Sequence, residues 1–165
     1  MEFENTVSDA ATPHEVIAFA QAIIEGESDR IATLANISAL IGQYLPRINW
    51  AGFYLFAPGT QEGVLGPFQG QIACTRIALG SGVVGTCAQQ GKTIVVPDVD
   101  QFPGHIACDK ASRSEIVVPI RDSHDVVAVL DVDAPILDRF QAEDQFLLES
   151  IAALLSKNWS SMRTF

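Results

Sequence analysis

Long hydrophobic runs are missing from this chain of 165 residues. No segment comes near the ~20 consecutive apolar residues that cross a bilayer, so a membrane span is not expected. The first ten residues, "MEFENTVSDA", lack the basic stretch followed by an apolar one that marks a secretory leader. Cytoplasmic residence is the resulting expectation. Positive charge is also scarce, with ten Lys and Arg against twenty Asp and Glu, a net charge of −10. So acidic a chain repels nucleic acid and anionic lipid, and suits a small or cationic ligand. The acid is spread along the chain, so most of it reads as solvated surface. Repeats, low-complexity tracts and Pro/Ser-rich linkers are absent as well. With 48% hydrophobic residues, the chain is expected to form one domain over 1–165 with a sizeable core.

Cysteine is rare: Cys74, Cys87 and Cys108 are the three present. An odd, small number argues against a structural disulfide framework and leaves buried inert thiols, metal ligands or redox chemistry. Zinc finds little support, because no C-x-x-C occurs and only His105 and Cys108 stand at H-x-x-C spacing. His105 could instead act as a base for the Cys108 thiol, or simply pack in its loop. His14 and His124 read as surface residues. The Gly-rich "LGSGVVG" is followed by no Gly-Lys-Ser/Thr, so it is not a P-loop.

The periodicity places helices over about 14–45 and about 141–160, with a sheet and its loops over about 50–133. Ile31, Leu34, Ile37, Ile41 and Tyr44 recur at helical spacing, as do Phe146, Leu147, Ile151, Leu154 and Leu155. "WAGFYLFA" reads as a strand. "GVLGPF" and "CTRIAL" read as two more, with "GPFQGQ" as the turn and Cys74 opening the second. "GSGVVGTCAQQG" reads as a glycine loop opening a short helix that carries Cys87 early and closes at Gly91. "TIVV" is a short strand, and 98–114 a long irregular segment that holds Cys108. "EIVVPI" and "DVVAVLDVDA" form a hairpin across "RDSHD". About six strands between terminal helices give an α+β fold, an antiparallel sheet with helices packed against it.

The hairpin carries a sharper inference. Val126, Ala128, Leu130 and Val132 share one face of its second strand, and Val127, Val129, Asp131 and Asp133 share the other. Aligning the apolar faces brings Glu115 opposite Asp131 or Asp133. The face either meets solvent at the strand end or holds three carboxylates together. Like charges so placed need a bound cation, an ammonium ligand or a shared proton. No further ligand motif supports a hard metal such as magnesium.

"NWAGFYL", "LGPFQGQIAC", "GHIACDKASRSEIVVPI" and "VLDVDA" together resemble the free methionine-R-sulfoxide reductases, which have the GAF fold. The likeness runs from about residue 49 to about residue 149. It implies reduction of free methionine (R)-S-oxide, with Cys108 as nucleophile and Cys74 as the other end of a disulfide. It also implies that Glu115, Asp131 and Asp133 are pocket carboxylates and that Trp50 and Tyr54 line a methyl pocket. No bound cofactor or metal is implied; thioredoxin, fed by NADPH, is the expected reductant, and a homodimer is expected by analogy with GAF domains. Where the family commonly has "GVCGT", this chain has "GVVGT" with Val84, so Cys87, one helical turn on, is the candidate auxiliary thiol. The alternative is a non-catalytic GAF module that senses a small molecule or cyclic nucleotide.

Overall fold

The computed structural model describes residues 11–106 and 108–164. The ten residues read above for a leader lie outside the described residues. Helix α1 (Pro13–Gly26) starts at a capping box: the Thr12 hydroxyl accepts from Glu15 N, and the Glu15 carboxylate accepts from Thr12 N. Helix α2 (Arg30–Tyr44) starts where Asp29 accepts from Ala32 N at 2.8 Å. Helix α3 (Gly82–Gln90) ends at Gly91, whose φ of 62° is the left-handed conformation that glycine tolerates. Helix α4 spans Ala142–Asn158.

The strands are β1 (Trp50–Leu55), β2 (Glu62–Gly70), β3 (Arg76–Ala78), β4 (Ile94–Val96), β5 (Ser114–Asp122) and β6 (Asp125–Ala134). They form one six-stranded sheet in the order β3-β2-β1-β6-β5-β4. Every neighbouring pair is antiparallel. The architecture is the α+β GAF fold expected from the sequence. Because β1 lies beside β6 rather than β3, residues near position 50 and position 131 become neighbours at the centre of the sheet.

Two apolar layers cover the sheet. On one face Phe53, Ile116, Val118, Leu130 and Val132 pack with Leu34 and Ile37 of α2 and with Leu147, Ile151 and Leu155 of α4. On the other, Trp50, Tyr54, Val117 and Val129 pack with Val83, Val84 and Cys87 of α3. The alternation of side chains along each strand separates these layers.

The structure corrects four local expectations. First, β2 runs straight through "GPFQG", so Cys74 lies in the connection before β3 and opens no strand. Pro67 survives inside β2 because the pairing to β1 shifts there, between Gly52 and Tyr54. A bulge needs no ladder hydrogen bond from proline, which has no N–H to give. Second, Val126 packs on the α3 face and Val127 on the opposite one. A second shift, between Ile120 and Arg121, exchanges their faces. Third, Ile31 and Phe146 are 46% and 48% exposed and sit at the edges of their helical stripes. Fourth, Cys87 is the sixth residue of α3, in its middle and not at its start.

Gly52 is where the sheet surface must be bare. A Cβ there would lie 2.8 Å from both the Trp50 indole and the Phe68 Cα. Gly52→Ala should therefore cost about 1–3 kcal/mol through overpacking. The melting temperature should fall by about 2–4 °C for each kcal/mol, read by circular dichroism.

Candidate active site

The register of three strands assembles the site. Glu115 of β5 lies opposite Asp133 of β6, and Asp133 lies opposite Trp50 of β1. Two residues along, Asp131 is flanked by Val117 and Gly52. Glu115, Asp131 and Asp133 therefore project from one face, and one carboxylate oxygen from each falls within 4.8 Å of the others. This face does not meet solvent at the strand end: Glu115 and Asp131 are each 5% exposed.

Burial is the main force on all three carboxyls and pushes each well above the ordinary carboxylate range. Asp133 adds to the effect on Glu115, Glu115 to that on Asp131, and Asp131 to that on Asp133. A hydrogen bond from Ser112 opposes the shift of Asp133. Three acids so close and so dry retain at least one proton among them near neutral pH. Asp131 Oδ1 is buried without a hydrogen-bond partner, so the cluster has an open acceptor. An ammonium group, with N–H donors to offer, suits this open acceptor.

Cys74 and Cys108 form a disulfide with a Cα–Cα separation of 5.5 Å. The aromatics of β1 hold the Cys74 segment: Tyr54 Oη donates to Cys74 O at 2.9 Å, and Trp50 Nε1 donates to Gln71 O at 3.2 Å. Trp50 is also stacked on Phe68, with ring centroids 5.2 Å apart, so Phe68 supports the indole without lining the cavity. The Tyr54 hydroxyl, buried and surrounded by the acids, is held far from ionisation.

Asn49 holds the Cys108 loop. Its Nδ2 donates to Asp109 Oδ2 at 3.0 Å and to Ser112 Oγ at 3.1 Å, while Asp109 Oδ1 accepts from Ala111 N at 2.8 Å. Sequence reasoning missed Asn49, Asp109, Ser112 and Phe68. The signal for Asn49 was a polar amide directly before an otherwise apolar strand.

Trp50, Tyr54, Val84, His105, Cys108 and the acidic trio line one cavity of about 40 Å³. The thiol at position 108 and the trio thus share a single space. Cys87 does not line it. That residue is fully buried, and its Sγ donates to Val117 O at 3.6 Å. Burial first, then Asp131 and Glu115, push its thiol up to about 12. The geometry gives no support to Cys87 as an auxiliary thiol; it is a small buried hydrophobe.

An antiparallel sheet with a small pocket between its face and a short helix defines the GAF class, and the GAF domain family model matches residues 31–159. The free methionine-R-sulfoxide reductase of Escherichia coli is 48% identical over 136 residues, 82% of this chain and 81% of that protein. The reduced form of fRMsr from Staphylococcus aureus is 48% identical with a TM-score of 0.84, over 90% of this chain and 96% of that one. Free methionine-R-sulfoxide reductase from Neisseria meningitidis, solved with its substrate, is 39% identical with a TM-score of 0.87, over 98% and 95%. This chain belongs to the free methionine-R-sulfoxide reductases of the GAF family.

The buried trio has a consequence for stability. A carboxyl whose folded pKa is raised stabilises the fold fully below its unfolded value, and that stability is lost as pH rises through the folded one. Asp131→Asn removes one such group. Its stability relative to wild type should improve between pH 5 and pH 8, by about 1.4 kcal/mol for each pH unit of that window over which the folded carboxyl keeps its proton. Urea melts at the two pH values measure this; a gain equal at both would show that the folded carboxyl is already ionised at pH 5.

Proposed function

We propose that this chain reduces free methionine (R)-S-oxide to methionine, with Cys108 as nucleophile and Cys74 as resolving thiol. One observation carries the reading: the Cys74–Cys108 bridge closes on a cavity lined by three carboxyls, of which Glu115 and Asp131 are buried and Asp133 half-buried. A sulfoxide sulfur is electrophilic, but its oxygen leaves only when protonated. The Cys108 thiolate supplies two electrons, and a carboxyl of the trio supplies the proton. Methionine departs as the thioether, and the oxygen remains on Cys108 as a sulfenic acid. Cys74 then displaces that oxygen as water and forms the disulfide. An external dithiol returns two electrons and two protons to the pair.

Thioredoxin is the proposed dithiol, with NADPH behind it, in a cytoplasmic setting, and the protein is proposed to act as a homodimer. The remaining carboxylates would hold the α-ammonium group, which explains a preference for the free amino acid. Trp50, with Tyr54 and Phe68 beside it, would take the methyl end; sulfur–aromatic contacts are worth ~0.3–1.5 kcal/mol. The difficulty is the thiolate, since nearby negative charge raises a thiol pKa. Retention of protons by the trio reduces that charge. The same acids disfavour a cyclic-nucleotide sensor, whose phosphate they would repel.

In a coupled assay with thioredoxin, its reductase and NADPH, wild type should consume NADPH upon addition of free methionine (R)-S-oxide. Cys108→Ser should abolish turnover. Cys74→Ser should yield about one methionine per protein and then stop, as expected without a resolving thiol. Cys87→Ser should keep kcat within about twofold, as for a buried thiol outside the reaction. Sustained thioredoxin-dependent turnover by Cys74→Ser would refute the resolving role.

A further inference from the structure

His105 lines the cavity, yet the chemistry above makes no use of it. Its Nε2 lies 3.5 Å from Glu115 Oε2, slightly beyond hydrogen-bond length. Such contacts in a resting site often tighten when substrate is bound. The loop around it is tied down at the backbone, where His105 N donates to Phe102 O at 3.2 Å. The His105 side chain is 15% exposed against 7% for Glu115, so the imidazole reaches from the solvent side to the sealed acid.

The reaction creates a need at this point. With Cys108 reacting as a thiolate, each sulfoxide reduced removes one proton from the trio. Glu115 and Asp131 are each 5% exposed, and His105 stands on the solvent side of Glu115, on a short path for that proton's return. An imidazole accepts a proton on one ring nitrogen and releases one from the other, and does so near neutral pH.

We propose that His105 is the relay that carries one proton per turnover from solvent to Glu115, and through it to the trio. The proposal rests on the reductase reading above. The proton balance closes: the trio gives a proton to the sulfoxide oxygen, solvent gives one to His105, His105 gives one to Glu115, and the Cys108 thiol regenerated by the dithiol releases one to solvent when it ionises. His105 touches no reacting atom, so it is a positioning residue that acts through Glu115. Burial disfavours its charged form, and Asp100 on the preceding turn opposes this. The acidic groups around the imidazole are Glu115 on β5, which adjoins Asp131 and Asp133 on β6, and Asp100.

The test is His105→Gln in steady state with methionine sulfoxide and a saturating small dithiol. Gln preserves polarity but carries no proton. We expect kcat to fall about tenfold or more, within the range of proton-transfer effects, with KM changed by less than about threefold. In His105→Ala, which opens space for the ring, kcat should rise with imidazole buffer concentration, while that of wild type should not. The first equivalent of methionine, measured by rapid quench, should form at the wild-type rate because the trio begins protonated. An unchanged kcat, or a loss in His105→Ala that no concentration of imidazole restores, overturns the relay. If wild type itself does not reduce the sulfoxide, the functional reading fails and the relay with it; if only the His105 result fails, the reductase stands. A ¹⁵N ring spectrum of the wild type covers the case of a variant that does not fold. The His105 Nε2 shift should follow the titration of the trio and change in Glu115→Gln; a ring indifferent to both overturns the proposal.

Discussion

The crowding of Glu115, Asp131 and Asp133 on one buried sheet face is the constraint to which the rest of the site answers. No side-chain preference creates it; it follows from the pairing of β5 with β6 and of β6 with β1. Once the strands align, burial and mutual repulsion force the acids to keep protons. The cluster is thereby both a proton store and an unfilled acceptor site, marked by the lone Asp131 Oδ1. A fold that maximised its own stability would place apolar groups there. Retaining acids at such a position is typical of sites that sacrifice stability to function.

The supporting groups serve two purposes at once. Trp50 and Tyr54 form the aromatic wall, and their polar ends tether the chain around Cys74. Asn49 starts the same strand and clamps the opposite loop through Asp109 and Ser112. Three residues of β1 or its entry thus fix both halves of the disulfide relative to the acids. Gly52 leaves room for the indole to lie across the strand.

Much of this was legible in the chain. The alternation in "EIVVPI" and "DVVAVLDVDA" placed Glu115 across from Asp131 or Asp133, and the structure pairs it with Asp133. The pattern worked because one face of each strand is continuously apolar, which fixes the register to within a shift of two residues. What was not legible depended on departures from regular geometry. The bulge opposite Gly52 hid the continuity of β2 behind Gly66 and Pro67, and the bulge near Ile120 exchanged Val126 with Val127. Cys87 looked available because it lies one helical turn from Val84, whereas its depth depends on how α3 packs on the sheet. Asn49 was missed because its partners, Asp109 and Ser112, are some sixty residues away.

The short span between Cys74 and Cys108, 5.5 Å from Cα to Cα, also protects the protein from its own chemistry. A sulfenic acid left waiting is open to further attack by peroxide, which carries it to the irreversible sulfinic state. With a second thiol already at bonding distance, the intramolecular capture outruns that bimolecular reaction. The spent enzyme is thereby parked in a form that peroxide does not advance to the sulfinic state.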